Sequence, residues 1–215
     1  MGKSIAVFGL GRFGKSIATT LYEAGADVMV VDKNPKLVEA FSENATYAIN
    51  ADVSNADAVK GLGIEEVDAV VVAMGSDLTA SIMSVMVAKE LGVPYVMAKA
   101  SDERMGAILK KVGADKVLFP EEESGARTAR ILVSESFMDY FDIDENLCML
   151  EMKVKPEWVG KNLMELNLRK QYKLNVVAIK NNKKKHLFVD PEKPLQKETE
   201  LLIVVDKMDL KKLNS

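Results

Sequence analysis

From Ser4 to Phe8 the chain is almost wholly apolar, and after a glycine-rich break the apolar positions take a helical spacing. The same alternation continues to about residue 120. Apolar runs at Val28–Asp32, Tyr47–Asn50, Asp68–Met74, Tyr95–Lys99 and Lys116–Phe119 read as further strands. The run Asp68–Met74 is continuous, as a central parallel strand buried on both faces requires. Helical patterns lie between them. One starts at the cap Asn34 with Pro35 at its first position and runs to about Glu43, and another follows the turn Ala51–Ser54. Two more cover Asp77 to Leu91, stopped by Gly92, and Asp102 to Val112. Six strands alternating with helices predict a doubly wound parallel sheet with right-handed crossovers.

Beyond residue 120 the rhythm changes. Pro120-Glu121-Glu122-Glu123 opens a helix whose pattern extends to about Phe141, and Asp142–Asn146 reads as a polar hinge. Strand signals then dominate at Leu147–Val154, Asn175–Lys180, His186–Asp190 and Leu201–Val205. A helical stretch spans Asn162–Gln171, and a short helix closes the chain. Asn181–Lys185 reads as a hairpin turn between strands. The expected fold is α/β: a Rossmann-like doubly wound sheet, then a long linking helix and a small α+β C-terminal domain. The expected boundaries are 1–120, 121–141 and 142–215.

The first break in the pattern carries the chemistry. Gly9-x-Gly11-x-x-Gly14 sits between a strand and a helix, and Asp32 ends the next strand about 20 residues on, the spacing of a dinucleotide-binding βαβ unit. Gly9 permits a tight turn, Gly11 lets backbone approach a phosphate, and Gly14 lets the helix pack close to the sheet. The helix N-terminus then faces the phosphates with its positive dipole end. Asp32 can accept from both hydroxyls of an adenosine ribose and would repel a 2′-phosphate. It also reads as a cap for the helix that follows.

Other candidates gather at the carboxyl ends of the strands, where open parallel sheets place their sites. Arg12 reads either as a phosphate partner or as a solvated side chain at the helix start. Asp52 reads as an acceptor for an adenine amino group or as a turn residue. Ala73, Met74 and Asp77 flank the crevice after the fourth strand. Lys99 can supply charge to a terminal phosphate or be a surface lysine. Phe13, Lys33, Val53 and Gly75 complete the candidate lining.

A formal charge of −3 argues against a nucleic-acid surface. No apolar run reaches the roughly 20 residues of a membrane span. Met1-Gly2-Lys3 leads straight into the first strand, so no signal peptide is expected. One cysteine, Cys148, allows no internal disulfide and fits a cytoplasmic setting. One Cys and one His cannot build a Cys/His zinc site. A dehydrogenase is the competing reading, but the only histidine, His186, lies beside three lysines and no paired spacing supplies a general acid or base. The GxxxxGK[ST] loop of phosphate-hydrolysing enzymes is absent. A redox-sensing repressor would need a DNA-binding module that neither charge nor pattern supplies.

Val7–Gly14, the strand end at Asp32, the Ala51-Asp52 turn, Val71-Val72-Ala73-Met74-Gly75 and Lys99-Ala100 together resemble the RCK (regulator of potassium conductance) family. Gly113–Val117 followed by Pro120-Glu121 extends the likeness, as do Leu168-Arg169-x-x-Tyr172 and Asn175–Ile179. The strongest resemblance is to cytoplasmic regulatory subunits of bacterial Ktr/Trk-type potassium uptake systems. It implies homodimers assembled into a ring, commonly an octamer, docked beneath a separate membrane channel or transporter subunit. The protein would then sit at the inner face of the cell membrane and catalyse no reaction. The implied ligands are ATP and ADP or NAD(H). The resemblance also implies a cyclic di-AMP site between two protomers, with Arg169 and Asn175 as polar contacts and Leu163, Leu168 and Val176 lining the groove. Finally, it suggests that Glu121 helps hold Ca²⁺ or Mg²⁺ where two protomers meet.

Overall fold

The structure is a computed structural model that describes residues 2–181, 184–186 and 189–213. The chain divides into two compact units, Met1–Glu121 and Glu122–Ser215.

In the first unit, β1 (Ser4–Phe8), α1 (Arg12–Glu23), β2 (Asp27–Asp32), α2 (Pro35–Phe41), β3 (Tyr47–Asn50) and α3 (Ala56–Lys60) follow in order. They are succeeded by β4 (Ala69–Val72), α4 (Leu78–Glu90), β5 (Tyr95–Lys99), α5 (Glu103–Lys111) and β6 (Lys116–Leu118). The strands form one parallel sheet in the order β3-β2-β1-β4-β5-β6. The order reverses at β1, which pairs with both β2 and β4, so the crevice of the switch point opens beyond the ends of β1 and β4. Apolar alternation along each strand feeds two cores. Ile5, Val7, Val28 and Val30 pack with Ala18 of α1 and Val38 and Phe41 of α2 on one face. Ala6, Phe8, Val70, Val72 and Val96 pack with Val59, Val85 and Leu109 of α3, α4 and α5 on the other. Burial on both faces is why these strands read as continuous apolar runs.

The second unit starts within α6 (Pro120–Leu132) and continues with β7 (Phe137–Asp142), β8 (Leu147–Lys153), α7 (Leu163–Leu166), α8 (Leu168–Gln171), β9 (Leu174–Asn181), β10 (Lys184–His186) and β11 (Glu200–Asp206). Its sheet is antiparallel in the order β10-β9-β11-β8-β7. Leu150, Met152, Leu174, Leu201 and Ile203 form its core around Trp158.

Several expectations are corrected here. The long helix ends at Leu132 and does not reach Phe141, because Phe137–Asp142 is a strand paired with β8. The register shifts between Phe137 and Asp139, so Phe137 and Tyr140, three apart, both point inward. A bulge thus imitates helical spacing. Asp142–Asn146 is accordingly the connection within a hairpin: Asp144 Oδ1 accepts from the N–H groups of Asn146 and Leu147 at 2.7 and 2.8 Å. The expected helix over 162–171 is two short ones broken at Asn167, whose φ is +44°. The closing helix is a 3₁₀ segment, Lys207–Lys212. The expected strand His186–Asp190 and the turn Asn181–Lys185 fall partly on residues 182–183 and 187–188, outside the described residues. Among the described residues no helix is long and apolar enough to cross a membrane.

Candidate functional site

The glycine loop is built by steric necessity at two of its three positions. Gly9 has φ +97°, and a Cβ there would meet Met74 Cγ at 2.7 Å. Gly14 lies so close to the loop that a Cβ would fall 1.8 Å from the Gly9 carbonyl oxygen. Gly11 is different. A Cβ there would meet nothing within 4 Å, and Gly11 caps α1 with no side-chain hydrogen bond. No cap side chain thus meets the first N–H groups of α1, and Gly11, Arg12 and Phe13 line one cleft, as an anion site requires.

Asp32 reaches back to this loop. Its Oδ2 accepts from the Leu10 N–H at 2.7 Å and its Oδ1 from the Asn34 N–H at 2.8 Å. Each oxygen keeps a further lone pair for a ribose hydroxyl. Asp52 is committed to its own turn: Oδ1 accepts from both the N–H and the hydroxyl of Ser54, which hold the carboxyl below its ordinary range. Asp77 caps α4 through the Ala80 N–H at 3.0 Å and meets Lys33 Nζ at 3.5 Å.

At the opposite side, Lys99 at the end of β5 donates to Glu121 Oε1 across 2.5 Å. Its ammonium lies 5.7 Å from the Phe13 ring centroid. This hydrogen bond is the main cause that lowers the Glu121 carboxyl.

These groups surround a cleft of about 780 Å³. Gly9, Gly11, Arg12, Phe13, Asp32, Lys33, Asp52, Val53, Ala73, Met74, Gly75, Asp77, Lys99 and Glu121 all line it; Gly14 lies beneath the loop. Sequence reasoning missed Val31, Ser76, Leu78, Thr79, Ala80 and Ser101. The cap Asp77 was a signal for three of these, Leu78, Thr79 and Ala80, since the first turn of α4 opens onto the same crevice. Among the described residues, no His, Cys or Tyr is part of the lining.

The second set of candidates is not gathered into one cavity. Leu168 is buried in the core of the second unit, Leu163 and Val176 pack partly against that core, and Arg169 and Asn175 are exposed. A cavity of about 180 Å³ in this unit is lined by Ile179, Asn181, Asp190, Lys193, Thr199 and neighbours, and by none of those five. Among the described residues no three His, Cys, Asp or Glu side chains cluster as a metal site. Glu121 by itself offers two oxygens where Ca²⁺ takes six to eight ligands.

Comparison with known proteins places these features in a family. The TrkA-N domain model matches residues 5–120 and the TrkA-C domain model residues 149–215. Ktr system potassium uptake protein C of Bacillus subtilis is 36% identical over 183 residues, covering 85% of this chain and 83% of that protein. Ktr system potassium uptake protein A of the same organism is 32% identical over 213 residues, covering 99% and 96%. Among solved structures, the GsuK RCK domain superposes with a TM-score of 0.68 at 17% identity, covering 100% of this chain and 47% of that one. A GsuK channel bound to NAD superposes with the same score and identity, covering 98% and 38%.

Proposed function

The chain belongs to the RCK family, proteins of TrkA-N and TrkA-C domains related to Ktr potassium uptake proteins, and on that premise we propose that it is a nucleotide-binding regulatory subunit of a potassium uptake system. The observation that carries the reading is the convergence of the glycine loop, the open N-terminus of α1 and the Asp32 carboxylate on one cleft at the switch point of the sheet. An adenosine phosphate fits that order of groups: ribose at Asp32, phosphates at Gly11 and Arg12, and a terminal phosphate toward Lys99. ATP, ADP and NAD(H) share this chemistry. NAD is the ligand that the GsuK channel structure carries.

The role is binding without a reaction. Asp52 and Glu121 are both held ionised below the ordinary carboxylate range, which suits neither to act as a general acid near neutral pH. The rival reading, an NAD-dependent oxidoreductase, finds no proton-transfer group of the His, Tyr or Cys type among the described residues that line the cleft.

ATP and ADP differ by one phosphate and so can favour two shapes of an assembly unequally, the condition for a ligand to shift an equilibrium. In this proposal homodimers form a ring, an octamer by resemblance, at the cytoplasmic face beneath a membrane subunit that conducts potassium. Cyclic di-AMP is the proposed ligand of a groove between two C-terminal units, with Arg169 and Asn175 exposed to meet it. A divalent cation at Glu121 is proposed to take a second protomer's carboxylate, since among the described residues no three His, Cys, Asp or Glu side chains cluster as a metal site.

Thermal unfolding of the full chain with ATP, ADP, NADH or cyclic di-AMP tests the reading. A ligand at about 100 times its Kd adds about 2.7 kcal/mol, a shift of roughly 5–10 degrees. Stabilisation by adenine nucleotides is the expected result, and no shift with any of them overturns it.

A further inference from the structure

Within the nucleotide-binding reading, we propose that the Glu121 carboxylate is a resident competitor for the cleft: it occupies the Lys99 ammonium that a ligand's terminal phosphate would take, and the phosphate displaces it.

The two partners are built unequally. The Lys99 side chain is 14% exposed and that of Glu121 is 72% exposed. Lys99 is also guided along its length. A Cβ on Gly75 would lie 2.8 Å from Lys99 Cε and 3.1 Å from Cδ, so a side chain at residue 75 would push the lysine chain aside. Phe13, in the first turn of α1, stands beneath the ammonium at 5.7 Å. Two separate segments thus bear on where the positive charge sits, and one of them is the first turn of α1, whose residues Arg12 and Phe13 line the same cleft.

The carboxylate is far more open. Glu121 lies one residue into α6, and its hydrogen bond to Lys99 is the main cause that lowers its carboxyl, with its own backbone N–H adding to it. An anchored cation with a loosely held counter-ion is an anion site that carries its own occupant. A diphosphate or longer chain brings more charge and more acceptor oxygens than a single carboxylate and gains the α1 N–H groups besides. A nucleoside has neither, so it leaves the pair intact.

Displacement would have a consequence at Glu121. That residue ends the first unit, and Glu122 and Glu123 follow it into the second. A phosphate that takes Lys99 frees a carboxylate next to two others at the start of α6, and so changes the charge balance where the chain passes from one unit to the next.

Calorimetric Kd values for ADP and for adenosine, measured at one ionic strength on the full chain and on E121Q, K99Q, K99Q/E121Q and G75A, test this. E121Q is expected to raise the affinity ratio of ADP over adenosine by roughly two- to fivefold, the range of a partly exposed ion pair. K99Q lowers the ratio, and E121Q adds nothing in the K99Q background because Glu121 acts only through that lysine. G75A lowers the ratio with all charges kept, by pushing the lysine chain off its course. A ratio in folded E121Q that is unchanged or reduced overturns the proposal, as does a rise of equal size in the K99Q background. If ADP binds in those cases, the nucleotide-binding reading survives alone. If the unaltered chain binds neither ligand, both fall together.

Discussion

Asp32 accepts the backbone N–H of Leu10 across 2.7 Å, and this one hydrogen bond ties the end of β2 to the middle of the glycine loop. Leu10 is 1% exposed, so its N–H has no access to water as a substitute. Asp32→Ala is therefore expected to cost about 1–3 kcal/mol of stability even without ligand. Urea unfolding of the ligand-free protein measures it. A variant as stable as the parent would mean that the carboxylate serves the ligand alone.

The glycines of the loop separate packing from ligand approach. Gly14→Ala drives a Cβ to 1.8 Å from backbone, which no rotamer change relieves, and is expected to cost about 3 kcal/mol or more. Gly11→Ala meets nothing within 4 Å and starts from an ordinary φ of −66°, so its stability should change by less than about 0.5 kcal/mol. Its cost appears in nucleotide affinity, since the methyl projects where a phosphate would approach. Melting curves with and without ADP distinguish the two variants, and equal destabilisation would contradict the geometry.

Acid sensitivity should trace in part to Asp115. Its Oδ2 accepts from the Val96 N–H at 2.6 Å and pairs with Lys89 at 3.0 Å, and these hold the carboxyl below its ordinary value. The folded pKa is the lower one, so the stabilisation is present above the unfolded value near 4 and is lost as pH falls through the folded one. Asp115→Asn should be less stable than the parent at pH 7, with the gap narrowing by pH 3. A gap constant with pH would place the effect elsewhere.

On the alkaline side, burial first and then the hydrogen bond to Asp142 at 2.9 Å push the Tyr140 phenol upward. With the folded pKa above the unfolded value near 10, this contribution is complete below pH 10 and disappears above it. Tyr140→Phe should flatten the alkaline limb of a stability profile.

Cys148 is fully buried, its Sγ lies 3.6 Å from the Val205 carbonyl oxygen, and burial raises the thiol above its ordinary value. A thiol reagent at pH 7.5 should react orders of magnitude more slowly than with a free peptide thiol, at a rate set by opening of the second unit. Labelling kinetics across a urea series check this, and labelling at the peptide rate would show the thiol accessible.

What could be read from residues alone is local and periodic. Val70–Val72 announce a strand because both faces of a parallel sheet are covered, and Gly9 and Gly14 announce a turn because only glycine fits their contacts, Gly11 being free of any. The strand Phe137–Asp142 was hidden for a physical reason: its bulge sets inward residues three apart, the signature of the opposite element.

The amino-acid sequence by itself determined the alternation of strand and helix, the doubly wound sheet and the candidates that line its crevice, since each follows from spacing within a few residues. Only the tertiary structure decided which partners those side chains have. Asp32 turns back to Leu10, Asp52 closes on Ser54, and Lys99 meets Glu121 from 22 positions away in the chain. Such pairings depend on where strands end in space, and hydrogen bonds and charges act over a few ångströms of distance, which periodicity does not encode.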